Sequence, residues 1–235
     1  HSKKVWILFQ NPDDQALFAQ HKIIHPQHAS IIKGSGVDLQ QFAFSAMPKG
    51  KIKIILVARM LWDKGVGEFV KAATILKQQR LDADFLLVGP VDLGNPKSIP
   101  EKQLEQWTQL GVVKWLRERT DIAQLLEKSH IAVLPSYREG LPKSLIEAAA
   151  IGRPIITTDV PGCRELVKDG ENGFLVPKKN AKELTIAIQK LIHNSKLLTS
   201  MGKKSRLIAE QEFSIEQVVN KTLALYSKIG SDPNK

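Results

Sequence analysis

Arg138-Glu139-Gly140-Leu141-Pro142-Lys143-Ser144-Leu145-Ile146-Glu147 decides how this chain folds. It joins an apolar run, Ile131-Ala132-Val133-Leu134, to a run of small residues, Ala148-Ala149-Ala150-Ile151-Gly152. The order reads as strand, loop and helix over 142–151, with Pro142 placed to open the helix and Gly152 to close it. Glu139 then belongs to the loop, and Glu147 lies about a turn and a half into the helix. The first turn of a helix has unpaired backbone N–H groups and the positive end of a dipole, which together seat a phosphate. Carboxylates on either side of such a seat suit hydroxyls on either side of a diphosphate, and that is the outline of a nucleotide-sugar.

Working towards the N-terminus, Lys53-Ile54-Ile55-Leu56-Val57-Ala58 is a short apolar run of the kind found in buried parallel strands. It leads into Arg59-Met60-Leu61-Trp62-Asp63-Lys64-Gly65-Val66-Gly67. The rest of the chain repeats the pattern. Strands are expected near 53–58, 84–88, 111–115, 130–134, 154–158 and 173–176, and helices near 66–80, 121–128, 142–151 and 180–192, with a polar helix around 101–110. This alternation predicts an α/β fold, a Rossmann-like doubly wound parallel sheet that binds ligands at the carboxyl ends of its strands. Arg59, Gly89, Trp115 and Glu139 all fall at those ends.

The paired glutamates, the preceding Pro135-Ser136 and the following Gly152-Arg153-Pro154-Ile155-Ile156-Thr157-Thr158-Asp159-Val160-Pro161-Gly162 resemble the donor-binding half of family 4 glycosyltransferases. These are retaining enzymes of the GT-B fold, in which two Rossmann-like domains face each other across a cleft. The resemblance covers roughly residues 5 to 215. It is nearest to capsular polysaccharide and lipopolysaccharide members through Phe9-Gln10-Asn11-Pro12-Asp13-Asp14, Gly34-Ser35-Gly36-Val37-Asp38 and Pro161-Gly162-Cys163-Arg164-Glu165.

By this resemblance the catalytic residues are Glu139, Arg59 and Lys64. Arg59 and Lys64 grip the donor diphosphate, Glu139 meets the donor sugar, and Glu147 binds the ribose diol. The backbone from Gly140 and Leu141 to Ser144 meets the phosphate oxygens, with Lys143 and Ser144 the better donors because Pro142 has no N–H. Base contacts are expected near Trp115 and Leu116. An Arg fork and a Lys point charge would both offset negative charge as the sugar leaves. The resemblance implies a hexose or N-acetylhexosamine moved from a UDP-sugar to a lipid-linked or polysaccharide acceptor in bacterial surface polysaccharide assembly, with no cofactor and no metal. It places the chain in the cytoplasm or peripherally at the inner face of the membrane. A GDP-sugar donor, or a non-catalytic basic domain that binds nucleotides or docks on membranes, is the alternative reading.

At 235 residues the chain is long enough for one well-buried α/β domain and falls short of two. It starts His1-Ser2 without Met, and a fragment is expected. Residues 1–48 read as the remnant of an N-terminal domain, a β-α-β unit plus linker. Residues 49–213 read as the nucleotide-sugar domain, and 214–235 as a final amphipathic helix and tail. The polar groups that bind the acceptor would belong to a missing N-terminal domain.

The net charge of +10 and pI near 9.6 favour polyanions, among which phosphorylated ligands and anionic lipid come before nucleic acid, since aromatic residues are only 6% and no basic-aromatic stripe is present. No apolar run approaches the roughly 18 residues of a spanning helix. Cys163 is the single cysteine, which rules out an intrachain disulfide, and it reads as a small structural residue. Asp82-Ala83-Asp84 has the spacing of a metal-binding pair but is expected in a turn ahead of its strand, at the wrong end of the sheet. His21, His25 and His28 cluster without a carboxylate shell and are read as a surface connection. A Rossmann oxidoreductase is disfavoured because no Gly-x-Gly-x-x-Gly follows the strand at 53–58.

Overall fold

The computed structural model describes residues 5–230. The outermost residues of the expected N-terminal unit and C-terminal tail lie outside this range. Near the N-terminus β1 (Ile7–Phe9) pairs in parallel with β2 (Ala29–Ile31), joined through α1 (Pro12–Gln20) and a short 3-10 turn at Pro26–His28. Helix α1 starts where Asn11, in extended backbone, accepts the N–H of Asp14 and Pro12 takes the first helical position. The bend at 34–37 then brings the chain beside the far end of the molecule, where Val37 N–H bonds to Phe213 O at 2.8 Å and Ile215 N–H to Val37 O at 3.1 Å.

From residue 52 the apolar runs become strands and the amphipathic runs become helices. The order is β3 (Ile52–Val57), a 3-10 turn (Trp62–Lys64), α2 (Val66–Gln78), β4 (Ala83–Val88), α3 (Glu101–Gln109), β5 (Lys114–Trp115), α4 (Ile122–Glu127) and β6 (Ile131–Leu134). It continues with α5 (Lys143–Ile151), β7 (Ile155–Thr158), β8 (Gly173–Val176), α6 (Ala181–Ile192), α7 (Ser195–Glu212) and α8 (Ile215–Gly230). The strand pairings within this sheet are all parallel, and the sheet runs β5-β4-β3-β6-β7-β8. Helices α2 and α6 pack together, as do α4, α5 and α7, and every residue of β6 and β7 is buried. A parallel strand covered by helices on both faces has no solvent side, which is why these runs are continuously apolar. This is the Rossmann-like doubly wound parallel sheet that the alternation predicts.

Some expected boundaries move. The strand expected at 111–115 begins only at Lys114, because Val112 N–H is still bonded back to Trp107 O after α3. The expected turn at Asp82-Ala83-Asp84 is corrected: β4 starts at Ala83, and Asp84 pairs in register with Lys53. Asp82 and Asp84 both meet Lys51, at 2.7 and 3.3 Å, and Asp84 also meets Lys114 at 3.2 Å, so lysines hold this pair at the amino end of the sheet. Pro142 stands at the cap position, just outside α5.

Candidate functional site

The strand order reverses between β3 and β6, and such a switch point, beyond the carboxyl ends of the strands, is where open α/β sheets bind their ligands. Two loops face each other across it. One follows β3 and carries Arg59 and Lys64, and the other follows β6 and carries Glu139. The loops are stapled together by main-chain groups. Tyr137 N–H donates to Asp63 O at 2.9 Å, and Ser136 Oγ donates to the same carbonyl at 3.1 Å. Gly65 ends the 3-10 turn in left-handed backbone, φ 72°, and a Cβ there would come within 2.1 Å of Pro135 O. Only glycine allows both that φ and that approach. The Tyr137 hydroxyl also donates to Glu68 in α2 at 2.9 Å, and burial together with this carboxylate pushes the phenol upward from its ordinary pKa.

The outcome of this stapling is a direct contact. Lys64 Nζ lies 2.6 and 2.7 Å from the two carboxylate oxygens of Glu139. Arg59, at the same edge, extends to Asp92 at 2.6 Å and remains more than half exposed. Beside them α5 begins. The N–H groups of Leu145 and Ile146 bond to Pro142 O, so those of Lys143 and Ser144 precede the first intrahelical bonds and face outward from the helix end. Leu141 is buried under Gly34. Glu147, buried on α5, has Lys143 Nζ at 3.7 Å. Burial raises its pKa above the ordinary value, and the lysine opposes the shift.

Trp115 ends β5, two strands away from β3. Its Nε1 donates to Gly89 O at 3.0 Å, and the Arg117 guanidinium stacks 4.5 Å above its ring. Leu116 is held by its N–H to Leu87 O at 2.8 Å. The structure therefore brings Lys64 and Glu139 into contact and aligns Arg59, Gly140 and the start of α5 on one strand edge, while Trp115 and Leu116 lie towards the sheet margin.

Three participants were not read from the sequence. Asp92 engages Arg59, Glu68 anchors Tyr137, and Asn11 donates to Gly140 O at 2.8 Å. Asn11 entered the sequence reading only within the motif Phe9-Gln10-Asn11-Pro12-Asp13-Asp14, with no role assigned to it. Cys163 is buried, and burial pushes its thiol up to about 11, which fits a structural role. The rings of His25 and His28 lie 6.1 Å apart. Among the described residues no group of three or more His, Cys, Asp or Glu side chains is arranged to hold a metal ion, and no helix is long and apolar enough to cross a membrane.

Residues 38–207 match the family model described as glycosyl transferases group 1. Over 231 residues the chain is 32% identical to the N,N'-diacetylbacillosaminyl-diphospho-undecaprenol alpha-1,3-N-acetylgalactosaminyltransferase of Campylobacter jejuni, covering 92% of this chain and 59% of that protein. It is 30% identical over 171 residues to the capsular polysaccharide biosynthesis glycosyltransferase CapM of Staphylococcus aureus, covering 73% of this chain and 44% of the relative. The match thus spans 44% to 59% of the length of these curated relatives. The fold matches the crystal structure of Anabaena Alr3699/HepE in complex with UDP and glucose with a TM-score of 0.82 at 22% identity, over 94% of this chain and 62% of that one.

Proposed function

Because the chain belongs to the group 1 glycosyl transferases, we propose that it carries the donor side of an enzyme that moves a hexose or N-acetylhexosamine from a UDP-sugar. The transfer runs with retention, to a lipid-linked or polysaccharide acceptor in bacterial surface polysaccharide assembly. The observation that carries this reading is the Lys64–Glu139 contact at the strand-order reversal, beside the free amides at the start of α5. Lys64 and Arg59 would take the diphosphate with the amides of Lys143 and Ser144, Glu139 the sugar hydroxyls, and Glu147 the ribose. Charge on the leaving diphosphate would then be offset by groups already in place. The UDP named in the Anabaena structure and the diphospho-undecaprenol named in the Campylobacter relative support the donor and acceptor classes.

In this reading the diphosphate needs no divalent ion, since two cations and a helix start serve it. An acceptor-side domain completes the cleft. The open two-stranded β1–β2 sheet and the exposed Ile215, Val219, Leu223 and Tyr226 of α8 are surfaces suited to such a domain. Positioning of the acceptor can account for roughly 7–11 kcal/mol of a barrier, so the 235 residues alone should bind donor and transfer almost no sugar. The net charge of +10 suits a peripheral seat at an anionic membrane face on the cytoplasmic side.

Calorimetry with UDP in excess EDTA tests the donor seat, with GDP, NAD and duplex DNA as comparisons. UDP is expected to bind in chelator and the others more weakly. Binding that disappears on chelation would overturn the metal-free seat. Stronger GDP binding would move the donor class, and failure of every nucleotide would overturn the enzyme reading in favour of a basic docking domain.

A further inference from the structure

The N-terminal unit touches the candidate site through residues 10–14. Asn11 is fully buried although it begins a surface helix. Its Oδ1 accepts the Asp14 N–H at 2.8 Å, which is all that capping α1 requires. Its Nδ2 is used twice more, donating to Asp14 Oδ2 at 2.9 Å and to the carbonyl of Gly140 at 2.8 Å. Gly140 is the residue after Glu139. Arg138, the residue before it, makes an ion pair with Asp14. Asp13 meets Arg164 at 3.1 Å, and Arg164 is itself held by Asp159 at 2.7 Å in the turn beyond β7. From that turn Pro161 O accepts the Glu139 N–H at 3.3 Å. The side chain of Gln10 closes the remaining space: a Cβ on Gly140 would stand 2.5 Å from Gln10 Oε1. Both neighbours of Glu139 are therefore gripped from the N-terminal unit, and its own amide from the opposite side.

We propose that Asn11 is a positioning residue for Glu139. Its bond to Gly140 O holds the peptide between Gly140 and Leu141, one residue beyond Glu139, and with it the loop that decides where the carboxylate stands relative to Lys64 and to the sugar of the donor. This rests on the assignment of Glu139 to the donor sugar. A primary amide is the side chain that supplies one acceptor for the cap and two donors for the neighbouring oxygens. Aspartate caps a helix equally well but would turn a carboxylate oxygen towards Gly140 O and the Asp14 carboxylate. Serine also caps, but it has a single hydroxyl proton and a shorter reach. A role limited to capping would survive either change.

The test uses the full chain with Asn11→Asp and Asn11→Ser. Amide hydrogen exchange is followed without ligand, and affinities for UDP and for UDP-glucose or UDP-N-acetylgalactosamine are measured. In both variants exchange should quicken at residues 138–141, and the melting temperature should fall less for Asn11→Ser, which keeps the cap without a buried carboxylate, than for Asn11→Asp. UDP affinity should hold, and the extra affinity of the sugar-bearing ligand over UDP should fall roughly three- to tenfold, the range of one neutral hydrogen bond. Unchanged exchange and an unchanged sugar increment in both variants would overturn the proposal. An equal loss for UDP and UDP-sugar would overturn it in favour of a structural cap. If the parent chain binds UDP but gains nothing from the sugar, the assignment of Glu139 fails, and the positioning role fails with it even where exchange has quickened.

Discussion

Lys64 and Glu139, 75 positions apart, meet as a double hydrogen bond of 2.6 and 2.7 Å across the reversal of strand order, with side chains only 20% and 12% exposed. A cation and a carboxylate that are both mostly withdrawn from water compensate each other, and loss of either leaves the other poorly solvated. In the proposed donor complex the diphosphate competes with Glu139 for Lys64. The pair thus holds the lysine in place before the ligand arrives and yields part of it when phosphate binds.

That competition gives opposite signs for two substitutions. Lys64→Gln should weaken UDP by about 1.5–3 kcal/mol, the range for a hydrogen bond to a charged group, and uridine much less. Glu139→Gln frees the lysine, so UDP should bind as tightly as before or more tightly, while the added affinity of a UDP-sugar falls. Titration calorimetry of uridine, UDP and UDP-sugar reads all three effects. Equal affinities of the unmutated chain for uridine and UDP would refute the phosphate role.

Glu147 should show a conflict between stability and binding. Its pKa in the folded chain is raised by burial above the ordinary 4.5, so the native state keeps this proton to a higher pH than the unfolded chain does. Stability is therefore lost as pH rises from 4.5 through the raised value, and Glu147→Gln removes that loss. At neutral pH the ligand-free variant should melt no lower than the parent, yet bind UDP about 1.5–3 kcal/mol more weakly. Melting curves between pH 4 and 8 with and without UDP check this. A variant less stable than the parent at pH 7, with intact UDP binding, would point to a purely structural carboxylate.

Gly65→Ala should separate the two loops. The new Cβ would press on Pro135 O in a backbone conformation that alanine adopts poorly, and the expected cost is more than about 1 kcal/mol. In a chain of this size each kcal/mol lowers the melting temperature by roughly 2–4 °C. UDP affinity should fall with it, because Lys64 and Glu139 would no longer face each other. An unchanged melting point and unchanged UDP affinity would show that the loops are not locked at this contact.

Arg153 provides a control away from the Lys64–Glu139 contact. It is fully buried just ahead of β7 and donates to the carbonyls of Leu126, Glu127, Ser45 and Ala46 at 3.1–3.4 Å. Burial lowers its pKa to about 10. It thereby closes the end of α4 and ties down the linker before β3. Arg153→Leu leaves buried carbonyls without donors and should cost about 1–3 kcal/mol in urea denaturation, with UDP affinity of the folded chain preserved. A loss of affinity beyond that of stability would mean the linker communicates with the site.

The alternation of apolar and amphipathic runs was enough to identify a parallel α/β sheet. A strand buried on both faces must be apolar throughout, and a helix covering it must be apolar on one side, so both leave their period in the residues themselves. The start of α5 was legible for the same kind of reason, since Pro142 and Gly152 act on the backbone next to them. Strand ends such as Gly111–Lys114 were less so, because hydrogen bonds to the preceding helix compete there with pairing. What only the tertiary structure decided is which side chains meet. That Lys64 faces Glu139, Arg59 turns to Asp92, and Asn11 reaches Gly140 from 129 positions away depends on strand order, register and the angle at which two loops leave the sheet. Those are set by the packing of the whole core, and residues so far apart carry no mark of it in their local sequence.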